Sequence, residues 1–464
     1  MSKTKIRIML ITPVLFLGLM LPTDSLAFDE TTGASRPNIV LIMADDLGYE
    51  CIGANGSTSY KTPNLDELAK TGIRFEHCYA QPICTPSRVK LMTGIYNVRN
   101  YEKFGHLPTT QKTFANVFHE SGYKTCVVGK WQLGTDPKLP KHFGFDEHCL
   151  WHFSRRAERY PNPGMDINGK KVDFTNGEYG PDVVNDFACD FIERNKEEPF
   201  LLYYPMILTH CPFCPTPDSA DWDPKSKGSK TYKGDPKYFA DMVLYMDKLI
   251  GKLTSKLEEL GLRENTLIMF VGDNGTDSPI VSMMGDKRVV GSKGQTIDAG
   301  TRVPFIANWP STIPAGQVSD DLVTFTDFFQ TMCDVSGLDS PSETRFDGQS
   351  FLPQLKGKPG NPRQWIYCFY ARNGGINGRE FVRNQRYKLY RNGKFFDVAS
   401  DDRENNPLSV DSLTGPQQEV YALLKSALAQ FTNARPADVA EIGEAIKRKQ
   451  QEKKRQKQEL EKKQ

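Results

Sequence analysis

The run Asn38-Ile39-Val40-Leu41-Ile42-Met43-Ala44, apolar after its first residue and closed by Asp45-Asp46, constrains the fold of this chain more than any other feature. An uninterrupted apolar stretch of strand length reads as a strand covered on both faces, which occurs where helices flank a parallel sheet. A second such run, Thr266-Leu267-Ile268-Met269-Phe270-Val271, exits into Gly272-Asp273-Asn274-Gly275. Further strand-like runs at 124–128, 200–204 and 303–307 alternate with helical stretches at 64–71, 109–121, 182–195 and 237–260. That alternation predicts an α/β fold, a mostly parallel central sheet flanked by helices. Active groups in such open sheets gather beyond the carboxyl ends of the strands, where both acidic exits fall. Adjacent carboxylates repel unless a cation lies between them, and four hard oxygen donors suit calcium or magnesium rather than zinc. Taken alone, Asp45-Asp46 would read as a strand-to-loop cap. Asp273 and Asn274 make the metal reading the better one.

Cys84-Thr85-Pro86-Ser87-Arg88, continuing to Val89-Lys90-Leu91-Met92-Thr93-Gly94, sets a modifiable cysteine four residues before an arginine. A merely reactive thiol has no need of that proline and arginine. The string resembles the signature of the type I, formylglycine-dependent sulfatases, in which the cysteine is oxidised to formylglycine. Three more segments resemble the same family in the family's order: Gly129-Lys130-Trp131-Gln132-Leu133-Gly134, His210 with Pro212, and Gly291-Ser292-Lys293-Gly294 followed by Thr301-Arg302-Val303-Pro304. Each is weak alone, because a single lysine or histidine is usually a solvated or satisfied residue. The resemblance spans roughly residues 36–410 and implies an alkaline-phosphatase-like fold.

It also implies a mechanism for a sulfate monoester, whose crowded sulfur needs a strong nucleophile, neutralised oxygens and a protonated leaving group. One hydroxyl of the hydrated aldehyde at position 84 would attack sulfur, with Asp273 placed to take its proton. Asp45, Asp46, Asp273, Asn274 and residue 84 would hold one calcium ion, magnesium being second choice. Lys130 and Lys293 would grip sulfate oxygens, Arg88 would fix the diol and the metal carboxylates, and His210 would protonate the leaving alcohol. Loss of the second hydroxyl's proton would then expel sulfate and restore the aldehyde.

Two positions depart from the family's pattern. Many sulfatases have a histidine where this chain has Gln132, and glutamine is no base at neutral pH. Gln132 is therefore expected to hydrogen-bond the diol or the sulfate while another group removes the proton. Asp298-Ala299-Gly300 replaces a more usual glutamate and glycine pair, with a structural effect expected.

Lys3, Lys5 and Arg7 precede the apolar run from Ile8 to Leu21, and Ser25-Leu26-Ala27 has small residues at signal-peptidase spacing. Residues 1–27 thus read as a signal peptide and the enzyme as periplasmic or secreted, with no stable membrane insertion once the signal is removed. A retained signal anchor is the alternative. Converting Cys84 leaves nine of ten cysteines, an odd number that cannot all pair within the chain. Cys211 and Cys214 could form a local disulfide or stay two buried thiols. Residues 447–464 hold nine lysines and arginines and three glutamates, a net of +6 in a chain of net +2. That tail reads as a solvated helix or a disordered end, or as a patch for anionic polysaccharide.

The expected organisation is a catalytic domain over 28–364, a small antiparallel C-terminal subdomain over 365–435, and the basic tail over 436–464. Short strands of the subdomain are expected at 365–370, 380–383, 387–391 and 394–398. Between the lysine segment and the next helix, Trp151-His152-Phe153-Ser154-Arg155-Arg156, with Arg159 and Tyr160, offers rings and guanidinium groups for a sulfated sugar, as do Arg372 and Asn373. Packing of that loop explains them equally well. The partners expected are a sulfated polysaccharide or oligosaccharide and a formylglycine-generating enzyme; no nucleic-acid motif is present. The rival readings are a phosphonate or phosphate ester hydrolase of the same superfamily, and a non-catalytic glycan-binding relative.

Overall fold

The computed structural model describes residues 36–463 apart from 152 and 154–156. Twelve strands precede the C-terminal sheet: β1 (Asn38–Ala44), β2 (Ile73–Tyr79), β3 (Lys124–Lys130), β4 (Glu147–Trp151), β5 (Gly164–Ile167), β6 (Lys170–Asp173), β7 (Phe200–Pro205), β8 (Thr266–Gly272), β9 (Val281–Met284), β10 (Lys287–Val290), β11 (Arg302–Asn308) and β12 (Gln317–Thr324). All but the β9–β10 hairpin join one sheet in the order β12-β2-β11-β8-β1-β7-β3-β4-β5-β6. Its centre, β8-β1-β7-β3-β4, is parallel throughout. Of these five strands the sequence foresaw β8, β1, β7 and β3, but not β4.

The run at 303–307 does become a strand, but β11 lies antiparallel between β2 and β8. After β8 the chain stays at that strand's carboxyl end, forms the β9–β10 hairpin and re-enters the sheet from the same end. A parallel return would have needed a crossover to the other end. β2, not foreseen, pairs with β11 and β12. At the opposite edge β5 folds back antiparallel on β4, and β6 antiparallel on β5.

All seven residues of β1 are buried. Ile39, Leu41 and Met43 enter one apolar cluster, with Phe305 and the helices Cys84–Thr93, Phe114–Glu120 and Asp327–Ser336. Val40, Ile42 and Ala44 enter another, with Pro63–Lys70, Gly180–Arg194 and Phe239–Glu259. The alternation of strand side chains thus fills two cores at once, which is why the run is apolar at every core position. The helix expected from 109 begins at Phe114, because the Thr113 side chain accepts a hydrogen bond from the Asn116 amide in a reciprocal cap.

A separate antiparallel sheet is formed by β13 (Ile366–Tyr370), β14 (Arg379–Arg383), β15 (Tyr387–Tyr390) and β16 (Phe395–Asp397). Tyr367, Val382, Leu389 and Phe395 pack there with Leu424 and Leu428 of the helix Gly415–Ala429. The basic tail belongs to a helix, Ala437–Lys463. Among the described residues no helix is long and apolar enough to cross a membrane. The expected signal segment, 1–27, lies outside them. All ten cysteines are free and buried, so Cys211 and Cys214 are two thiols and not a disulfide.

Candidate active site

Four neighbouring strands deliver their exits to one place. β1 ends in Asp45-Asp46, β8 in Asp273-Asn274, β3 in Lys130, and the segment after β7 carries His210. Asp46 turns out of its strand at φ 62° and Gln132 leaves β3 at φ 55°, conformations that reorient each side chain at the sheet edge. Gly129 is required before Lys130: its φ is +113°, and a Cβ there would meet the Pro205 carbonyl oxygen at 2.0 Å.

Cys84 opens the helix Cys84–Thr93, all ten residues of which are buried. Positions four apart share a helix face, so Arg88 follows Cys84 into the same cluster. Its Nη1 donates to the Lys130 carbonyl oxygen at 2.6 Å and its Nη2 to Asp273 Oδ2 at 2.9 Å, with Asp45 Oδ1 at 3.8 Å. The polar remainder of this buried helix is also partnered, Ser87 with Gln81 and Ile83 and Lys90 with Thr324. A rigid guanidinium thus pins three strand ends together.

Lys130 Nζ lies 2.6 Å from Asp45 Oδ2, and Lys293 Nζ lies 2.6 Å from Asp46 Oδ2. His210 Nε2 is 3.7 Å from the same Asp46 oxygen. The Asn274 amide donates to Asp46 Oδ1 at 2.9 Å, and the Asp46 backbone amide donates to Asp273 Oδ1 at 3.0 Å. The Cys84 thiol donates to Gln132 Oε1 at 3.2 Å. Every predicted central residue is therefore in one connected cluster.

Two oxygens in that cluster, Asp45 Oδ1 and Asn274 Oδ1, are buried with no hydrogen-bond partner. Buried polar atoms rarely stay unpaired without a reason, and oxygen atoms left over among carboxylates are what a hard cation needs. Asp45, Asp46 and His210 alone bring ligand atoms within 4.8 Å of one another. The donor set fits a divalent cation.

Burial shapes the acidity of the cluster. It raises Asp46, and with the charge of Asp45 it raises Asp273 to about 7. Burial works the same way on Asp45, but Lys130 foremost outweighs it and holds that carboxyl well below the ordinary range. Burial opposes the charge on Lys293 too, yet the Asp46 carboxylate lifts its pKa well above 10.5. Burial, then the positive charges of Lys130 and Lys293, hold His210 well below 6.5. The Cys84 thiol is raised by burial and stays protonated.

Above the cluster opens a cavity of about 640 Å³ lined by Cys84, Gln132, Lys130, Lys293 and His210. Of the expected sugar-facing residues, Trp151, Arg159 and Arg372 line it. Arg159 lies over the Trp151 ring at 3.9 Å and meets His210 Nδ1 at 2.8 Å. Tyr160 does not reach the cavity: it is fully buried, and its hydroxyl donates to the His210 carbonyl oxygen. Asn373 does not line it either, and Arg155 and Arg156 lie outside the described residues. Unforeseen in the sequence were Phe104, Lys230, Tyr232, Lys233 and Asp277. A signal for three of them existed in Lys230-Thr231-Tyr232-Lys233, an aromatic between lysines in a Gly- and Ser-rich stretch. Asp298 pairs with Arg383 of β14, a contact between the two sheets that accounts for an acidic residue there.

A pocket floored by carboxylates, lysines and a thiol, at the carboxyl ends of a helix-covered sheet, has the charges to bind an anionic ester and a side chain placed to attack it. The Sulfatase family profile matches residues 37–338, and the profile of the N-sulphoglucosamine sulphohydrolase C-terminal region matches 286–434. The chain is 32% identical over 393 residues to arylsulfatase A of Homo sapiens, covering 77% of this chain and 75% of that one. It is 31% identical over 380 residues to N-acetylgalactosamine-6-sulfatase of Mus musculus, covering 73% and 70%. The solved structure of Ps i-CgsB superposes with a TM-score of 0.74 at 28% identity, covering 87% of this chain and 94% of that one. This chain belongs to the sulfatase family and is a sulfuric ester hydrolase.

Proposed function

We propose that the enzyme releases sulfate from a sulfated polysaccharide or oligosaccharide, with residue 84 as nucleophile after its conversion to formylglycine. The observation that carries this reading is the position of Cys84: its sulfur lies at the floor of the cavity, against Gln132, with Lys130 and Lys293 beside it on Asp45 and Asp46. Ps i-CgsB has been solved with a neocarrahexaose, at 26% identity and a TM-score of 0.71, which supports a glycan as the substrate class.

Asp45, Asp46, Asp273, Asn274 and residue 84 would hold a divalent cation, calcium by the all-oxygen chemistry of the donors, which when bound makes the attacking hydroxyl more acidic and neutralises a sulfate oxygen. The remaining work falls to side chains. Lys130 and Lys293 bind the sulfate oxygens as point charges, each already held in place by its carboxylate. Arg88 spans Asp273, Asp45 and the Lys130 carbonyl and so keeps the three strand ends in register. His210 gives the leaving oxygen its proton. Burial first, and then the charges of Lys130 and Lys293, depress its basicity, and a bound sulfate would offset the second of these. Gln132 accepts a hydrogen bond from residue 84 and orients it, consistent with a positioning role rather than that of a base. Asp273 accepts one hydrogen bond on each oxygen, from Arg88 and from the Asp46 amide, and keeps further lone pairs with which to take part in proton removal.

The domain organisation we propose keeps the boundaries read from the sequence, with a signal peptide over 1–27 and a periplasmic or secreted location. Mass spectrometry of the peptide bearing Cys84, from protein made with a formylglycine-generating enzyme, tests the reading. An aldehyde at residue 84 together with sulfate release from sulfated glycans is expected. A thiol despite a competent maturation partner, or faster turnover of matched phosphate esters, would sink it.

A further inference from the structure

Among the described residues, six lysines and arginines but two carboxylates line the cavity above Cys84. Four of the six cations are committed within the protein. Lys130 and Lys293 pair with Asp45 and Asp46, Lys233 pairs with Asp277, and Arg159 is held between the Trp151 ring and His210. The other two, Lys230 and Arg372, have side chains with no ion pair or hydrogen bond among the described residues. None of the chemistry assigned to the sulfate ester needs them.

Arg372 nevertheless sits on a segment that is tied down. Its carbonyl oxygen accepts a hydrogen bond from the Tyr101 hydroxyl at 2.8 Å. Arg435 donates to the Gly375 carbonyl oxygen at 2.8 Å, and the Ile376 amide donates to Glu444 at 3.0 Å. Gly374, at φ +70°, lies so close to Glu102 that a Cβ would meet its carbonyl oxygen at 1.8 Å. A cation presented on a fixed backbone loses less freedom when it meets a ligand than one on a free loop. The cavity, about 640 Å³, far exceeds a single sulfate group and falls in the range that accepts small organic ligands. Phe104 and Tyr232, 37% and 70% exposed, add ring faces against which a sugar can lie.

We propose that Lys230 and Arg372 form a second anion subsite, so that the substrate is an acidic glycan carrying, besides the sulfate that is removed, another sulfate or a uronate carboxylate on the same or the adjoining sugar. This rests on the sulfatase reading of the site and specifies the class of glycan it takes. The guanidinium can hold either anion through two parallel bonds, and the lysine contributes a point charge across the opening.

The test measures binding in the Cys84→Ala protein, which cannot turn substrate over, by calorimetry with three disaccharides: one bearing a single sulfate, one bearing two, and one bearing a sulfate and a uronate. The added acidic group is expected to lower Kd about tenfold in at least one of the two pairs. Adding Arg372→Ala and Lys230→Ala should shrink that gap to within about twofold, the size expected of an exposed charge alone. The size-preserving pair Arg372→Gln and Lys230→Gln should do the same. An equal Kd for all three sugars in the Cys84→Ala protein, or a gap that survives both pairs of substitutions, overturns the subsite. Sulfate release by the unsubstituted, aldehyde-bearing enzyme is followed in parallel. Its absence would remove the assignment of residue 84, while the binding gap still decides the subsite.

Discussion

Two buried charge networks in this molecule differ in what they leave over. At the seam between the two sheets, Arg363 grips both oxygens of Asp327 from Nε at 2.8 and 2.9 Å, and the same carboxylate accepts from the Thr324 and Gln349 amides at 2.9 Å each. Against the small sheet, Lys388 of β15 pairs with Glu404 at 2.7 Å, and Glu404 also accepts from Tyr390 at 2.6 Å. None of these side chains has a buried atom without a partner. At the strand ends, by contrast, Asp45 Oδ1, Asn274 Oδ1 and Arg88 Nε are all unpartnered. A closed network has nothing left to give a ligand and serves to join the parts, whereas an open one retains valence that a cation and an anion can complete. Between these two networks the difference is unfilled hydrogen-bonding capacity, since both are buried and both are charged.

The most severe break removes function from the open network and leaves the closed one whole. Cys84→Ala should reduce sulfate release by about 10⁴-fold or more, the size seen when a covalent nucleophile is lost, while thermal unfolding stays near that of the parent. Loss of activity through unfolding would show the two networks to be less separable than their contacts suggest. The converse is Asp327→Ala, which strands the Arg363 guanidinium in the seam. It should cost about 3–5 kcal/mol of stability in denaturant titration, with activity falling only as the folded fraction falls.

Removal of divalent metal sharpens the contrast. If a cation completes the open network, chelation should lower stability by about 2.7 kcal/mol at a metal concentration a hundredfold above Kd, and refilling should restore both stability and activity. In Asp45→Asn protein the metal-dependent part of that shift should shrink strongly, whereas in Asp327→Ala it should persist. A melting temperature indifferent to both chelator and calcium would contradict the metal assignment.

The smallest expected effect concerns Lys90, a buried cation that donates to the Thr324 hydroxyl at 2.5 Å and lies 5.1 Å from the centre of the Tyr96 ring. Burial lowers its pKa to about 8 from the ordinary 10.5. Because the unfolded chain then binds the proton more tightly than the native one, this side chain's contribution to stability rises with pH between about 8 and 10.5. Urea unfolding of the parent and of Lys90→Met should therefore converge as pH is raised through that window. A gap that does not change with pH would mean that Lys90 titrates alike in the native and the unfolded chain.

Four strands of the parallel centre, β1, β3, β7 and β8, were legible because burial on both faces demands apolar residues at core positions, and the motif residues were legible because the family's chemistry needs their types in that order; β4 was not, since Glu147 and His148 break its apolar run. The direction of β11 was not, since a run such as Val303 to Ala307 has the same composition whichever way it lies. Tyr160 and Arg159 are neighbours in sequence with opposite fates, one sealed in the core and one lining the cavity, and no local pattern distinguishes them. Arg372 was a candidate for a sulfated sugar from the sequence, but Lys230, far away in the chain, looks like an ordinary surface cation until the fold brings both to one opening.

By itself, then, the sequence determined the class of fold, the strand exits that carry acid groups, and the identity of Cys84, Arg88, Lys130, His210 and Lys293, since these depend on local composition and on residue chemistry. Only the tertiary structure decided which oxygens stay unpaired, which cations are already spent on carboxylates and which remain for a ligand, because pairing is settled between residues such as Asp46 and Lys293 that the chain separates and the folded sheet brings within 2.6 Å.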